Sequence, residues 1–198
     1  MLSKWGKILS AVSFLFASAL PATGPASAAP ARAPIAFHTF CAQNPGDCRA
    51  TGPQGPMIMD NKRWAELASV NSMVNRSIRF ASDAARLRRG DVWAVLEGGG
   101  AGDCEDYVLT KRRKLMQLGW PSSALLVTVV RTRTGQGHAV LTVRTNEGNF
   151  VLDNLARPVR PVRSTGYRFF SMQSPSNPRS WIKVPRSGPG VISATAGE

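Results

Sequence analysis

Histidine, cysteine and acidic residues are all scarce in this chain of 198 residues. It contains two histidines, three cysteines and 12 acidic residues, against 25 lysines and arginines. The cysteines and histidines form no C-x2-C or H-x3-H pair, which argues against a structural zinc site. No internal repeat is visible, so the chain is not an array of repeated units.

The sequence also lacks a hydrophobic run long enough to span a membrane. Its most apolar segment, residues 8–20, has 13 residues, whereas a transmembrane helix needs about 20. Lys4 and Lys7 precede this segment and the small residues 26–29 follow it, which is the order found in a secretory signal peptide. We expect residues 1–28 to be a signal peptide cleaved after Ala28 or Ala29. The alternative is an uncleaved signal anchor.

The predicted export determines which partners the basic charge can meet. The formal net charge is +13, and the basic residues are scattered without the interleaved aromatic residues of a base-stacking surface. We therefore expect no nucleic-acid partner and no stable membrane insertion after cleavage. Anionic partners outside the cytoplasm, such as acidic proteins, peptidoglycan or the membrane surface, remain open because charge alone does not choose among them.

Composition divides the rest of the chain into a domain and two flexible ends. Residues 29–36 are rich in Ala and Pro and predict a flexible lead, and residues 187–198 are rich in Gly, Ser and Ala and predict a flexible tail. The segment between them, residues 37–186, has the length of one domain.

The order of predicted elements indicates an α+β fold. Apolar spacing predicts helices at residues 61–78 and 104–118, and a glycine run at 98–102 predicts a break in regular structure. Hairpin signals then separate β-rich runs. Helices followed by an antiparallel sheet are typical of the α+β class. The predicted strands cover residues 124–131, 137–145, 149–153, 159–162 and 167–170.

Two of the three cysteines are placed to form a disulfide. Six residues separate Cys41 from Cys48, and they include the turn-forming sequence Asn44-Pro45-Gly46. Because exported proteins meet oxidising conditions, we expect these two cysteines to pair. Cys104 then remains as an unpaired thiol.

Cys104 has the sequence context of a nucleophile. It follows a glycine run and occupies the first turn of a predicted helix, where unpaired N–H groups stabilise a thiolate. Glycines also let a substrate backbone approach closely. An inert buried thiol is the alternative interpretation of the same pattern.

A base and an orienting carboxylate are available downstream. His38 is expected to pack or to face solvent beside Phe37 and Phe40, which leaves His138, at the start of a predicted strand, as the candidate base. If residues 146–147 form a two-residue turn, position 138 lies opposite position 155. Asp153 is then the diagonal neighbour of His138 on the same face of the hairpin. A three-residue turn would separate them, and Asp153 would then be an ordinary turn residue.

Three motifs together resemble the bacterial transglutaminase-like cysteine peptidases, a group that includes the LapG-type periplasmic proteases. They are GDCEDY at residues 102–107, GHAVL at 137–141 and VLDN at 151–154. The resemblance implies a papain-like, transglutaminase-like fold with Cys104 as nucleophile, His138 as general base and Asp153 as its orienting residue. It also implies a thioester acyl-enzyme and a protein or peptide substrate in the periplasm or at the cell surface.

Other functions remain open at the level of sequence. The same triad could perform transamidation or cleave cell-wall amides, and the fold could also be a catalytically idle basic binding module. The sequence looks especially like the short alphaproteobacterial-type members of the family and less like the LapG-type proteases, so the resemblance does not imply a particular substrate.

The acids beside Cys104 form the last candidate site. Asp103, Glu105 and Asp106 oppose ionisation of the thiol, although acids at a helix start also act as caps. Clustered carboxylates are ligands that calcium prefers, and LapG-type relatives use calcium at this block. We therefore expect calcium to bind some of these three residues, with capping as the alternative, and we expect no organic cofactor.

Overall fold

The computed structural model describes residues 28–83, 90–186 and 188–189. The predicted signal peptide and most of the predicted tail therefore lie outside the described residues. Within the described part are helices α1 (Ile35–Gln43), α2 (Asn61–Ser77) and α3 (Cys104–Gln117). The strands are β1 Pro30–Ala31, β2 Ile78–Phe80, β3 Gly100–Gly102, β4 Leu125–Arg131, β5 Gly137–Thr145, β6 Gly148–Leu152, β7 Arg160–Pro161, β8 Arg168–Gln173 and β9 Trp181–Lys183.

Seven of these strands form one antiparallel sheet in the order β1-β9-β8-β4-β5-β6-β7. The central strand β4 pairs with β5 along the whole length of β4, from Leu125 opposite Val143 to Arg131 opposite Gly137. The predicted α+β class, with helices preceding an antiparallel sheet, is confirmed.

Both faces of the central strands are buried. Leu125 and Val127 pack in one core with the residues of α2 and α3, whereas Leu126 and Val130 pack in a second core. This division follows from the alternation of side chains along a strand. Because apolar residues occupy both sets of positions, β4 and β5 form the rigid centre of the domain.

The predicted flexible lead contains regular structure. Pro30 and Ala31 pair with Ile182 and Trp181 of β9, and α1 begins at Ile35. An edge strand tolerates proline because one side of it makes no ladder hydrogen bonds. The composition of residues 29–36 could not indicate this pairing, because its partner lies about 150 residues away in the sequence.

The prediction that the glycine run breaks all regular structure is wrong. Its last three residues form β3, which pairs in parallel with β2. A side chain at Gly99 would lie 2.7 Å from the Ser77 carbonyl oxygen, and one at Gly102 would collide with the Asp106 carboxylate. The glycines therefore allow the chain to pass close to the end of α2 and the start of α3.

No helix within the described residues is both long enough and apolar enough to cross a membrane.

Candidate active site

The start of α3 is fixed by the residues on either side of Cys104. Asp103 is the N-cap residue, as predicted, and its backbone N–H donates to Asp106 Oδ2 at 3.3 Å. The first turn of the helix is tied to β2, since the Tyr107 hydroxyl donates to the Ile78 carbonyl oxygen at 2.6 Å. Cys104 is thus the first helical residue, at the positive end of the helix dipole.

Two polar side chains on α3 hold the segment before the glycine run. The Ala94 N–H donates to Asp106 Oδ1 at 2.8 Å, and the Leu96 N–H donates to Thr110 Oγ1 at 2.9 Å. Asp106 and Thr110 are both buried. These bonds give Asp106 a structural role that its motif position alone did not reveal.

The β5–β6 hairpin brings His138 and Asp153 together. Thr145 pairs with Gly148, so the turn contains two residues, as the favoured interpretation of the sequence required. His138 Nε2 and Asp153 Oδ1 are 2.9 Å apart, and both residues are buried. A carboxylate only accepts hydrogen bonds, so Nε2 carries the proton in this contact, and in the neutral form of the imidazole Nδ1 has the lone pair.

Asp153 also accepts hydrogen bonds from groups that the sequence did not identify. The Tyr167 hydroxyl donates to Oδ2 at 2.5 Å, the Leu155 N–H donates to Oδ1 at 2.9 Å, and Arg160 Nη2 lies 3.5 Å from Oδ2. Burial alone would raise the pKa of Asp153, but the hydrogen bonds from His138, Tyr167 and Leu155 outweigh it, and the pKa is lowered. Asp153 is therefore ionised at neutral pH.

Two asparagines on α2 hold the backbone at Asp153 and just after it. Asn75 Nδ2 donates to the Asp153 carbonyl oxygen at 2.8 Å, and Asn71 Nδ2 donates to the Arg157 carbonyl oxygen at 2.8 Å. The sequence offers a partial signal for this role, because asparagines on the apolar face of a helix need partners. Their partners could not be named without the fold.

The sulfur of Cys104 lies beside the residue that follows His138. The Ala139 N–H lies near Sγ, and the thiol donates to Glu105 Oε2 at 3.1 Å. Burial raises the pKa of the thiol strongly, and the negative charge of Glu105 raises it further, whereas the Ala139 N–H lowers it. The acids around Cys104 thus oppose its ionisation, as the sequence predicted. Burial also raises the pKa of Glu105, to about 8.

The acids around α3 form two overlapping groups rather than one. Carboxylate oxygens of Asp83, Asp103 and Asp106 lie within 4.8 Å of one another, and so do those of Asp91, Asp103 and Glu105. Asp103 is common to both groups. Asp83 and Asp91 were missed in the sequence because they are 20 and 12 residues before Asp103.

A comparison with known families identifies the family of this chain. Residues 27–188 match the sequence profile of the bacterial transglutaminase-like cysteine proteinases (BTLCP), which covers well over half of the chain. The chain belongs to this family. The transglutaminase-like fold expected from the three motifs agrees with membership of the BTLCP family. A comparison with curated proteins found no match to the chain.

Solved structures similar to this BTLCP member include LapG of Legionella pneumophila. Calcium-bound LapG is 26% identical with a TM-score of 0.47, and the alignment covers 54% of this chain and 62% of LapG. EGTA-treated LapG is 28% identical with a TM-score of 0.46, covering 54% of this chain and 61% of LapG. The chain thus matches about three fifths of the length of LapG.

Proposed function

We propose that this protein is an exported cysteine peptidase that hydrolyses peptide bonds through Cys104, His138 and Asp153. The proposal is carried by one observation, the 2.9 Å contact between His138 and Asp153 next to a free thiol at the start of a helix. The proximity of the Ala139 N–H to the sulfur supports it, because Ala139 follows His138 on β5. Membership of a cysteine proteinase family supports the same reaction.

The reaction divides into acylation and deacylation. In acylation, Cys104 Sγ attacks the peptide carbonyl carbon, the thiol proton passes to His138 Nδ1, and His138 then gives that proton to the departing amine as the C–N bond breaks. In deacylation, His138 takes a proton from water, the hydroxide attacks the thioester, and the proton returns to the sulfur. Asp153 holds the imidazole through Nε2 and stabilises its protonated form.

The disulfide supports the exported location. Cys41 and Cys48 are joined and buried, which confirms the predicted pairing. Structural disulfides persist mainly in oxidising compartments. Together with the charge and apolar pattern of residues 1–28, this pairing supports a periplasmic protein whose substrates are proteins or peptides there or at the cell surface.

The two histidines provide a matched test of the mechanism. We expect wild-type protein to cleave members of a peptide library and to react with a thiol-directed probe at Cys104, and we expect Cys104→Ala to do neither. His138→Ala should lose cleavage, whereas His38→Ala should retain it, because His38 is exposed on α1. An active His138→Ala variant would contradict the role of His138 as the base, and a wild-type protein that cleaves nothing would favour a binding module.

The same assay separates hydrolysis from transamidation. A primary amine added in excess should leave the cleavage products unchanged if water is the acceptor. Incorporation of the amine into the products, detected by mass spectrometry, would identify a transglutaminase that uses the same three residues.

Calcium forms the second part of the proposal, at the acids around Asp103. Asp103 Oδ1 is buried and has no hydrogen-bond partner among the described residues. Calcium takes six to eight oxygen ligands, largely from carboxylates, and the oxygens of Asp103 lie close to those of Asp83, Asp91, Glu105 and Asp106. These residues fit the ion, which would supply positive charge beside the start of α3.

Asparagine at position 103 distinguishes calcium binding from capping. Asn is as good an N-cap as Asp, so Asp103→Asn should keep its stability in EGTA and lose its response to calcium. In the wild type, calcium at about 100 times its Kd should stabilise by about 2.7 kcal/mol and raise Tm by roughly 5–10 °C. A wild-type Tm that does not respond to calcium would leave capping as the role of these acids.

A further inference from the structure

A cavity of about 390 Å³ lies next to the proposed triad. It opens between the β4–β5 turn and the segments that follow β6 and precede β8. Its lining includes Leu155, Arg160 and Tyr167, and also Arg133 of the β4–β5 turn. The mechanism proposed above assigns no role to this cavity.

The walls of the cavity contact the triad directly. Leu155 and Tyr167 both donate hydrogen bonds to the Asp153 carboxylate, and the Tyr167 ring packs edge-on against His138 with 5.8 Å between ring centroids. A group bound in the cavity is therefore separated from His138 by a single side chain. In a bound peptide, that group would belong to a residue close to the cleaved bond.

The charged side chains that line the cavity are all positive. Arg133 and Arg160 line it, and none of the described residues that line it is acidic. Arg160 lies 3.5 Å from Asp153 and is partly neutralised by it. Arg133 forms no ion pair with any residue in the described part of the chain, so its positive charge remains available to a ligand.

Arg133 is exposed and Arg160 is half-buried, and both guanidinium groups lie against neighbouring residues. Arg133 packs against Gly166, where an added Cβ would collide with the guanidinium and where φ is +68°. Arg160 lies over the Tyr167 ring, 5.9 Å from its centroid. The planar guanidinium of an arginine binds a carboxylate in a fork geometry through two parallel N–H···O bonds.

We propose that this cavity is a specificity subsite that binds the carboxylate of an aspartate or glutamate close to the cleaved bond. Arg133 supplies the principal contact, and Arg160 and the surrounding hydroxyl groups of Thr132 and Ser164 complete it. The inference rests on the proposed peptidase function and names a substrate class for it, acidic peptides.

A peptide library tests the subsite without knowledge of the natural substrate. Wild-type protein, Arg133→Gln and Arg168→Gln are each incubated with the library, and cleavage sites are identified by mass spectrometry. Arg168 is an exposed arginine on β8 outside the cavity, so its variant controls for the loss of one positive charge. We expect Asp and Glu to be enriched at one position within about three residues of the cleaved bond. The position should be this close because only the Tyr167 side chain separates the cavity from His138.

The decisive measurement uses the best acidic peptide and its Glu→Gln or Asp→Asn counterpart. Arg133→Gln should lower kcat/KM for the acidic peptide about tenfold and leave the amide peptide unchanged, because only the charge-assisted contact is lost. Arg168→Gln should change neither. Cleavage without acidic enrichment, or equal loss for both peptides in Arg133→Gln, would overturn the subsite while the peptidase function stands.

Failure of the peptidase function has a different signature. If the wild type cleaves no peptide, the subsite is judged by binding of acidic peptides and their amide counterparts to Cys104→Ala. Tighter binding of the acidic members that depends on Arg133 supports the subsite, and equal binding overturns it.

Discussion

In the proposed mechanism, the carboxylate of Asp153 has a chemical role that its amide analogue cannot perform. Asp153→Asn should retain the fold, because the amide oxygen can still accept hydrogen bonds. It should lower activity by at least about 10²-fold, because a neutral amide does not stabilise an imidazolium and favours the wrong imidazole tautomer. Glu147→Gln, which makes the same change at the exposed turn of this hairpin, should be fully active. Activity of Asp153→Asn near that of the wild type would reduce Asp153 to a turn residue.

Lys111 is a buried cation that the proposed mechanism does not use. Its Nζ has no hydrogen-bond partner among the described residues and lies 5.8 Å from the centroid of the Tyr107 ring. Burial lowers its pKa from 10.5 to about 7, despite the opposing attraction of Asp153. Between these two pH values the unfolded chain binds a proton that the folded protein does not, so the free energy of unfolding rises with pH.

Replacement of Lys111 by methionine should remove this pH dependence. We expect Lys111→Met to be more stable than the wild type at pH 7 by about 1–3 kcal/mol, because an unpaired buried polar group is lost. Urea unfolding between pH 7 and pH 9.5 should show a rising stability in the wild type and in Lys114→Met, a control on the same helix. An equal slope in Lys111→Met would contradict the assignment.

At the residue scale, the sequence identified the groups proposed for the chemistry better than the groups that position them. Cys104, His138 and Asp153 stand in recognisable motifs, and the two-residue turn relates the last two by local geometry. Tyr167 and Arg160 reach Asp153 from segments with no motif. Their contacts depend on the order of strands in the sheet, which local spacing does not determine.

At the scale of elements, the disulfide loop is attached to the helix that begins at Cys104. Arg112 Nη1 donates to the Asp47 carbonyl oxygen, and Arg113 binds the Asp47 carboxylate. Asp47 lies inside the loop closed by Cys41 and Cys48. The cross-link therefore orders residues that help to hold α3 in position.

Loss of the cross-link should lower stability modestly. The double variant Cys41→Ser/Cys48→Ser should be destabilised by about 2 kcal/mol, because closing a short loop removes little entropy from the unfolded chain. Urea unfolding measures the difference. Intact mass of the wild type under denaturing, non-reducing conditions should reveal one free thiol, and three free thiols would contradict the pairing.

Among the described elements, the sequence located helices α2 and α3 and the longer strands, but it missed helix α1 and four of the short strands. The helices at Asn61–Ser77 and Cys104–Gln117 and the strands β4, β5 and β6 lie within two residues of their predicted bounds. The missed strands β1, β2, β3 and β9 have two or three residues each. Strands this short carry no periodicity and exist because of their partners.

At the scale of the whole molecule, the first and last strands are neighbours. β1 pairs with β9, and the Lys183 N–H donates to the Ala29 carbonyl oxygen at 2.8 Å. Cleavage after Ala28 keeps this bond, whereas cleavage after Ala29 removes it. We therefore expect the exported protein to begin at Ala29, as measured by N-terminal mass spectrometry of periplasmic material. A full-length mass would indicate an uncleaved anchor instead.

The unequal burial of the three cysteines determines how the protein should be handled. Cys104 is partly exposed, whereas Cys41 and Cys48 retain only 3% and 2% of their accessible surface. Thiol enzymes lose activity in air as the nucleophile is oxidised to a sulfenic acid, which reductants reverse. A mild reductant should reach Cys104 long before it reaches the buried bond. Purified material can therefore be reactivated shortly before an assay without opening its cross-link.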